Sequence, residues 1–120
     1  MTARHLADGA WAERHACRYL ERQGLELVES NYSTRAGEID LIMRDDAMLV
    51  FVEVRLRRSV EFGHPAESID HGKRRRVRRA AEHYLTVRRG RDLPPCRFDV
   101  VTIVGDRHRQ TTEWFPDAFN

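Results

Sequence analysis

Asp40, Glu53 and Glu13 are the residues in this sequence whose placement first suggests chemistry. Asp40 lies in Gly37-Glu38-Ile39-Asp40-Leu41-Ile42-Met43-Arg44, and Glu53 in Leu49-Val50-Phe51-Val52-Glu53-Val54-Arg55. The two runs read as β-strands joined by a polar turn, because Asp45 and Asp46 are turn formers between aliphatic stretches. A four-residue loop over 45–48 sets Arg44 across from Leu49, and counting back in antiparallel register sets Asp40 opposite Glu53. Opposed residues share a face, with Cβ atoms about 4.5–5.5 Å apart. Three arrangements tolerate two carboxylates there. The pair can lie at a solvated edge where salt screens repulsion. One carboxyl can keep its proton. A divalent cation can sit between them, as Mg²⁺ does with one or two carboxylates plus water and phosphate oxygens. Phe51 shares the Glu53 face, while Val50, Val52, Val54 and Leu56 line the other, so both faces look covered and unpaired carboxylates would be costly.

Glu13 belongs to a helix read over residues 3–23, in which Leu6, Ala10, Ala16, Cys17 and Leu20 recur at helical spacing and Gly24 supplies the stop. Glu13 falls on that stripe. It either borders the stripe and reaches solvent, or brings a third carboxylate toward Asp40 and Glu53.

The elements around these residues follow in order. Leu25–Tyr32 reads as the first strand, 31–37 as a polar loop with Gly37 giving freedom before the second strand, and 57–64 as a basic loop. Residues 65–89 read as helical with a break, capped by Ser68 or Asp70 and weakened in the first turn by Gly72. Val77, Ala80, Ala81, Tyr84 and Leu85 form its apolar stripe; Arg75, Arg76, Arg79 and His83 face away, with Arg78 at the border. Gly90 ends it, and 97–104 is the clearest isolated strand, interrupted by Asp99, which reads as structural or edge-facing. A turn over 105–109 leads to a short closing strand over 110–115, with Trp114 and Phe115 packing down.

Composition narrows the function classes. The chain has 120 residues, 33% of them charged and 41% hydrophobic, enough for one domain with its own core. No apolar run approaches the roughly 20 residues that span a bilayer. The first fifteen residues lack a signal-peptide core, so the expectation is a cytoplasmic protein that does not engage membrane. Cys17 and Cys96 are too few and too distant for a disulfide framework or zinc knuckle and are expected to be small core residues. No internal repeat, phosphate-cradling glycine loop or Ser/His/Asp arrangement is present. The net charge of +2 hides a segregation: residues 55–91 hold twelve Lys/Arg against four Asp/Glu, a balance of +8, and the remainder stands at −6. Within Lys73-Arg74-Arg75-Arg76-Val77-Arg78-Arg79 the charges share one sign, and such self-repulsion calls for an anionic partner, phosphate above all.

The order helix, three strands, helix, strand, with carboxylates at Glu13, Asp40 and Glu53, resembles the PD-(D/E)XK nuclease superfamily, and within it the YraN-like, Holliday-junction-resolvase-related family. The residues that carry the resemblance are Gly37 to Ile42, Val50 to Arg55 and Cys96 to Val101, and it covers nearly the whole chain. It implies an α/β fold, a single three-layer αβα sandwich of restriction-endonuclease type built on a mixed sheet. It implies Asp40 and Glu53 as ligands of Mg²⁺ or Mn²⁺, Glu13 as an outer carboxylate, and DNA as partner, held by structure rather than by sequence. Arg57, Arg58, Lys73, Arg75, Arg76 and Arg79 would contact its phosphates. Junction-cutting relatives generally act as dimers, although no stretch here announces a dimer surface. One position departs from the pattern. Arg55 stands where the superfamily commonly has Lys, two residues after the acidic Glu; it can bind phosphate but cannot accept a proton. Lys73 is the candidate to supply an amine instead. The resemblance therefore implies either a metal-dependent endodeoxyribonuclease or a nucleic-acid-binding module of the same fold with little catalysis.

Overall fold

The computed structural model describes residues 3–57, 70–90 and 92–120, with side chains from residue 8 onward. The element order is α1 (Ala3–Arg22), β1 (Glu26–Ser33), β2 (Glu38–Asp45), β3 (Met48–Arg57), α2 (His71–Tyr84), a π-type turn over Leu85–Arg89, β4 (Cys96–Gly105) and β5 (Gln110–Phe119). The five strands form one sheet in sequence order. β1–β2, β2–β3 and β4–β5 are antiparallel, and β3–β4 is parallel, as a crossover through α2 requires.

Two apolar clusters, one on each face, make this a three-layer α/β/α sandwich. Ala12, Ala16, Cys17 and Leu20 of α1 pack on Leu41, Met43, Val50, Val52, Val101 and Ile103. Val77, Ala80, Ala81 and Tyr84 of α2 pack on Ile42, Phe51 and Val100. The division follows the two-residue alternation of the strands: Val50 and Val52 go to one layer and Phe51 to the other. β3 is thus covered on both sides, as its near-continuous apolar run predicts.

Local signals set most element ends. Gly24 closes α1 at φ 103°, with its N–H donating to the Glu21 carbonyl at 3.0 Å. Asp70 caps α2, its Oδ1 accepting from Lys73 N at 2.8 Å. The β2–β3 register is the expected one, Arg44 opposite Leu49, but the turn is tighter: Asp45 pairs with Met48, leaving Asp46 and Ala47 as the loop, Asp46 at φ 53°. Asp tolerates that left-handed region better than most residues.

Several expectations are corrected. Ala10 is exposed, and Ala12 takes its place on the buried stripe of α1. Cys96 is exposed at the start of β4, so only Cys17 is a core cysteine. The closing strand runs on past Pro116 to Phe119. Leu27 and Val28, on the edge strand β1, are each 44% exposed, and a register shift between Leu27 and Glu29 marks a bulge. The polar loop before β2 shortens to 34–37, because 31–33 remain in β1. Leu6 on the α1 stripe, the loop to His64, the start of the second helix and the Ser68 cap lie outside the residues and side chains described.

Asp99 is neither exposed nor at an edge. β4 lies between β3 and β5, and Asp99 is fully buried with every oxygen engaged. It accepts from Arg97 Nε at 3.0 Å, Trp114 Nε1 at 2.8 Å and Asp117 N at 2.9 Å. Arg97 reaches on to Asp45 at 3.3 Å. This network ties β5 and the β2–β3 turn to β4.

Candidate functional site

The β2–β3 ladder ends at Leu41 opposite Val52, while β3 goes on pairing with β4 to Arg57. Just beyond that last pair stand Asp40 and Glu53. The side chain of Asp40 replaces the missing main-chain acceptor: its Oδ2 takes a hydrogen bond from Val54 N at 2.8 Å. Glu53 is 1% exposed and Asp40 9%. The two side chains share a hydrogen bond, which requires a proton between them. Glu53 holds it: burial first, then the contact with Asp40, pushes its carboxyl up to about 10, and Lys73 on α2 pulls in the other direction. Of the three arrangements open from sequence, the solvated edge is therefore excluded. The Oε1 atom of Glu53 is buried and has no hydrogen-bond partner among the described residues.

That orphaned oxygen is the test of whether a cation fits. A buried carboxylate oxygen without a donor is costly, and a divalent ion replacing the shared proton would engage it together with Asp40. Among the described residues no three His, Cys, Asp or Glu side chains are grouped to hold an ion by themselves. An ion at Asp40 and Glu53 would therefore complete its coordination with water and substrate oxygens, in the manner of Mg²⁺ or Mn²⁺.

Glu13 comes from the opposite layer. It is half-buried beside a cavity of about 170 Å³ lined in part by Asn31 and Leu41. Burial, then the charge of Asp40, raises its pKa, a hydrogen bond to the Asn31 side chain opposes this, and Glu38 adds a smaller upward push. Glu13 is therefore half-buried within reach of the charge of Asp40 rather than extended into open solvent. Arg55, two residues after Glu53, is half-buried, and its Nε has no partner among the described residues.

The basic run of α2 does not act as one surface. Arg74 stacks its guanidinium over the Phe119 ring, 5.6 Å from the centroid, and Arg78 donates to the Asn120 carbonyl. These two cations secure the end of β5. Arg75 and Arg79 are exposed. Lys73 and Arg76 line a cleft against the turn before β2. Arg57 closes β3, and Arg58 lies outside the described residues. The sequence marks that turn only as part of a polar loop, with Gly37 giving freedom, and does not single out Arg35 within it. The available signal was Thr34-Arg35-Ala36-Gly37, a hydroxyl three residues before a glycine.

Among the described residues no helix is long and apolar enough to cross a membrane. Residues 12–103 match the model of the family described as "Uncharacterised protein family UPF0102". Among curated relatives, a "UPF0102 protein" of Nitrosococcus oceani is 47% identical over 117 residues, covering 98% of this chain and 94% of its own. One from Coxiella burnetii is 50% identical over 96 residues, 80% of each chain. One from Cupriavidus taiwanensis is 53% identical over 116 residues, 95% of this chain and 83% of that one. With the family model spanning most of its length and relatives matching at about half identity, this chain belongs to the UPF0102 family.

Proposed function

We propose that the chain is a metal-dependent nuclease-like protein that hydrolyses phosphodiester bonds in DNA, branched or single-stranded DNA included, with Asp40 and Glu53 holding Mg²⁺ or Mn²⁺. The observation that supports it best is the buried contact of these two carboxylates with one oxygen left unpartnered. The strand order and the α2 crossover agree with a PD-(D/E)XK placement. When bound, the ion would supply a nucleophile at neutral pH and neutralise charge developing on the phosphate. The protein's own part is to hold Asp40 by Val54 N, to bury Glu53 beside it, and to supply Glu13 from α1, where it can orient a water. Arg55 would stabilise phosphate charge, and the cations of α2 would hold the strand without reading bases.

A second reading rests on Arg55. No proton acceptor stands at that position, so the same site would serve binding with little or no hydrolysis. Incubating the protein with labelled linear, single-stranded and four-way DNA, with Mg²⁺ or Mn²⁺, separates the two. Metal-dependent cleavage abolished by Asp40→Asn and Glu53→Gln supports the nuclease. Salt-sensitive binding without cleavage supports the binding module, and no interaction with any nucleic acid excludes both.

A further inference from the structure

The turn over 34–37 and the first two turns of α2 enclose a cleft of about 310 Å³ lined by Thr34, Arg35, Gly37, Glu38, Lys73 and Arg76. Its walls are fixed. Thr34 Oγ1 accepts from the N–H groups of Ala36 and Gly37 at 3.1 Å, and Thr34 N donates to the Gly37 carbonyl at 2.8 Å. Gly37 presses so closely on α2 that a Cβ there would stand 2.3 Å from the Arg76 carbonyl oxygen. Three cations from two elements converge on this space, and none of them forms an ion pair among the described residues. The cleft adjoins the acidic pair, since Glu38, which lines it, opens β2 two residues before Asp40.

We infer that this cleft seats one backbone phosphate of the nucleic acid, next to the phosphodiester that meets Asp40 and Glu53, with Arg35, Lys73 and Arg76 as its ligands. The inference rests on the nucleic-acid reading above and adds a subsite to it. A cleft whose three cations stand outside any ion pair among the described residues and outnumber its one carboxylate, Glu38, suits a tetrahedral anion, and guanidinium groups can fork onto two of its oxygens. Glu38 on the rim would turn away a second anion. The acidic pair and this seat then fix two successive points of one strand, which sets the strand's course across the molecule without touching the bases.

The test is binding in chelator, where no cleavage occurs. Affinity for a labelled single strand and a labelled duplex is measured across a salt series for the parent, Arg35→Ala, Arg76→Ala and, as a control of equal charge on the opposite layer, Arg18→Ala. Each phosphate that the protein ceases to neutralise lowers the slope of log affinity against log salt by about 0.7 for a single strand and about 0.9 for a duplex. Arg35→Ala and Arg76→Ala are expected to show that drop and Arg18→Ala to keep the parent slope. Neutral methylphosphonate linkages placed one at a time along the strand should reveal one position whose substitution weakens the parent but not Arg35→Ala. Parent slopes in both cleft variants, or no binding by the parent, would overturn the inference. It is equally overturned if pyrophosphate alone binds in an Arg35-dependent way while the strand does not. Unchanged slopes beside metal-dependent cleavage would remove the phosphate seat and leave the nuclease standing. Lowered slopes without cleavage would do the reverse.

Discussion

At the scale of single residues, the protein holds two buried acids in opposite ways. Asp99 sits in a ring of donors from Arg97, Trp114 and Asp117 that engages both its oxygens, whereas Glu53 keeps a proton and leaves an oxygen without a donor. Asp99→Ala would leave Trp114 Nε1 and Asp117 N without their acceptor and Arg97, only 17% exposed in its side chain, with Asp45 alone, and is expected to cost about 3–5 kcal/mol in chemical denaturation. Glu53→Gln should do the opposite in metal-free buffer. The folded protein holds the Glu53 proton up to about 10, while the unfolded chain releases it near 4.5. The stabilisation is therefore fully present below the lower value and declines as pH rises toward the upper one, by at most about 1.4 kcal/mol per pH unit. Unfolding free energy from denaturant titration in chelator should fall from pH 5 to pH 9 more steeply, by roughly that coefficient, for the parent than for Glu53→Gln, and thermal midpoints should follow it. Mg²⁺ or Mn²⁺ should raise the parent's midpoint increasingly with pH, because the ion displaces a proton, and leave Glu53→Gln unmoved. A parent and variant with the same pH dependence and the same response to the ions would show that Glu53 neither carries the proton nor binds metal.

At the scale of elements, the junction between the turn over 34–37 and α2 is the most constrained contact near the site. Gly37→Ala would drive a methyl group against backbone atoms of Arg76 that cannot rotate away. The turn and helix must then separate, at about 1–3 kcal/mol of stability, and the seat beside the acidic pair widens with them. Denaturant titration checks the first effect; a shallower salt dependence of binding in chelator checks the second. Element positions were largely readable because strand alternation, glycine stops and the Asp70 cap are local signals. The hairpin register was readable for a further reason: loops of four or two residues centred on the same bond give the same pairing, so Arg44 meets Leu49 with either. What escaped depended on distant partners. Asp99 interrupts an apolar run and so reads as structural or edge-facing; the donors from β5 that let it be fully buried are invisible along the chain. The closing strand is expected only to Phe115, yet β5 is an edge strand, where the missing N–H of Pro116 is tolerated. Ala10 and Ala12 are indistinguishable by hydropathy and each falls at helical spacing from buried residues, Ala10 from Cys17 and Ala12 from Ala16 and Leu20.

At the scale of the whole molecule, the two helical layers differ in charge: α2 carries six Lys/Arg against one Glu, whereas α1 carries four Arg against three Asp/Glu. The structure subdivides that charge. Arg74 and Arg78 are committed to the last residues of β5, whereas Arg75 and Arg79 extend into solvent on the outer face of α2. Charge count alone would make all four equal contributors to polyanion binding; their surroundings do not. Arg75→Ala with Arg79→Ala should weaken binding about equally for unrelated DNA sequences and lower the duplex salt slope by up to about 0.9 for each phosphate left without its cation. The thermal midpoint should stay within the small range usual for surface substitutions. Arg74→Ala with Arg78→Ala should reduce the midpoint first, since it frees the end of β5 from α2, and alter the salt slope less. If the two double variants weakened affinity and slope alike with no difference in stability, the basic helix would be acting as an undifferentiated rod of charge. Its division into anchoring and strand-holding arginines would then have to be abandoned.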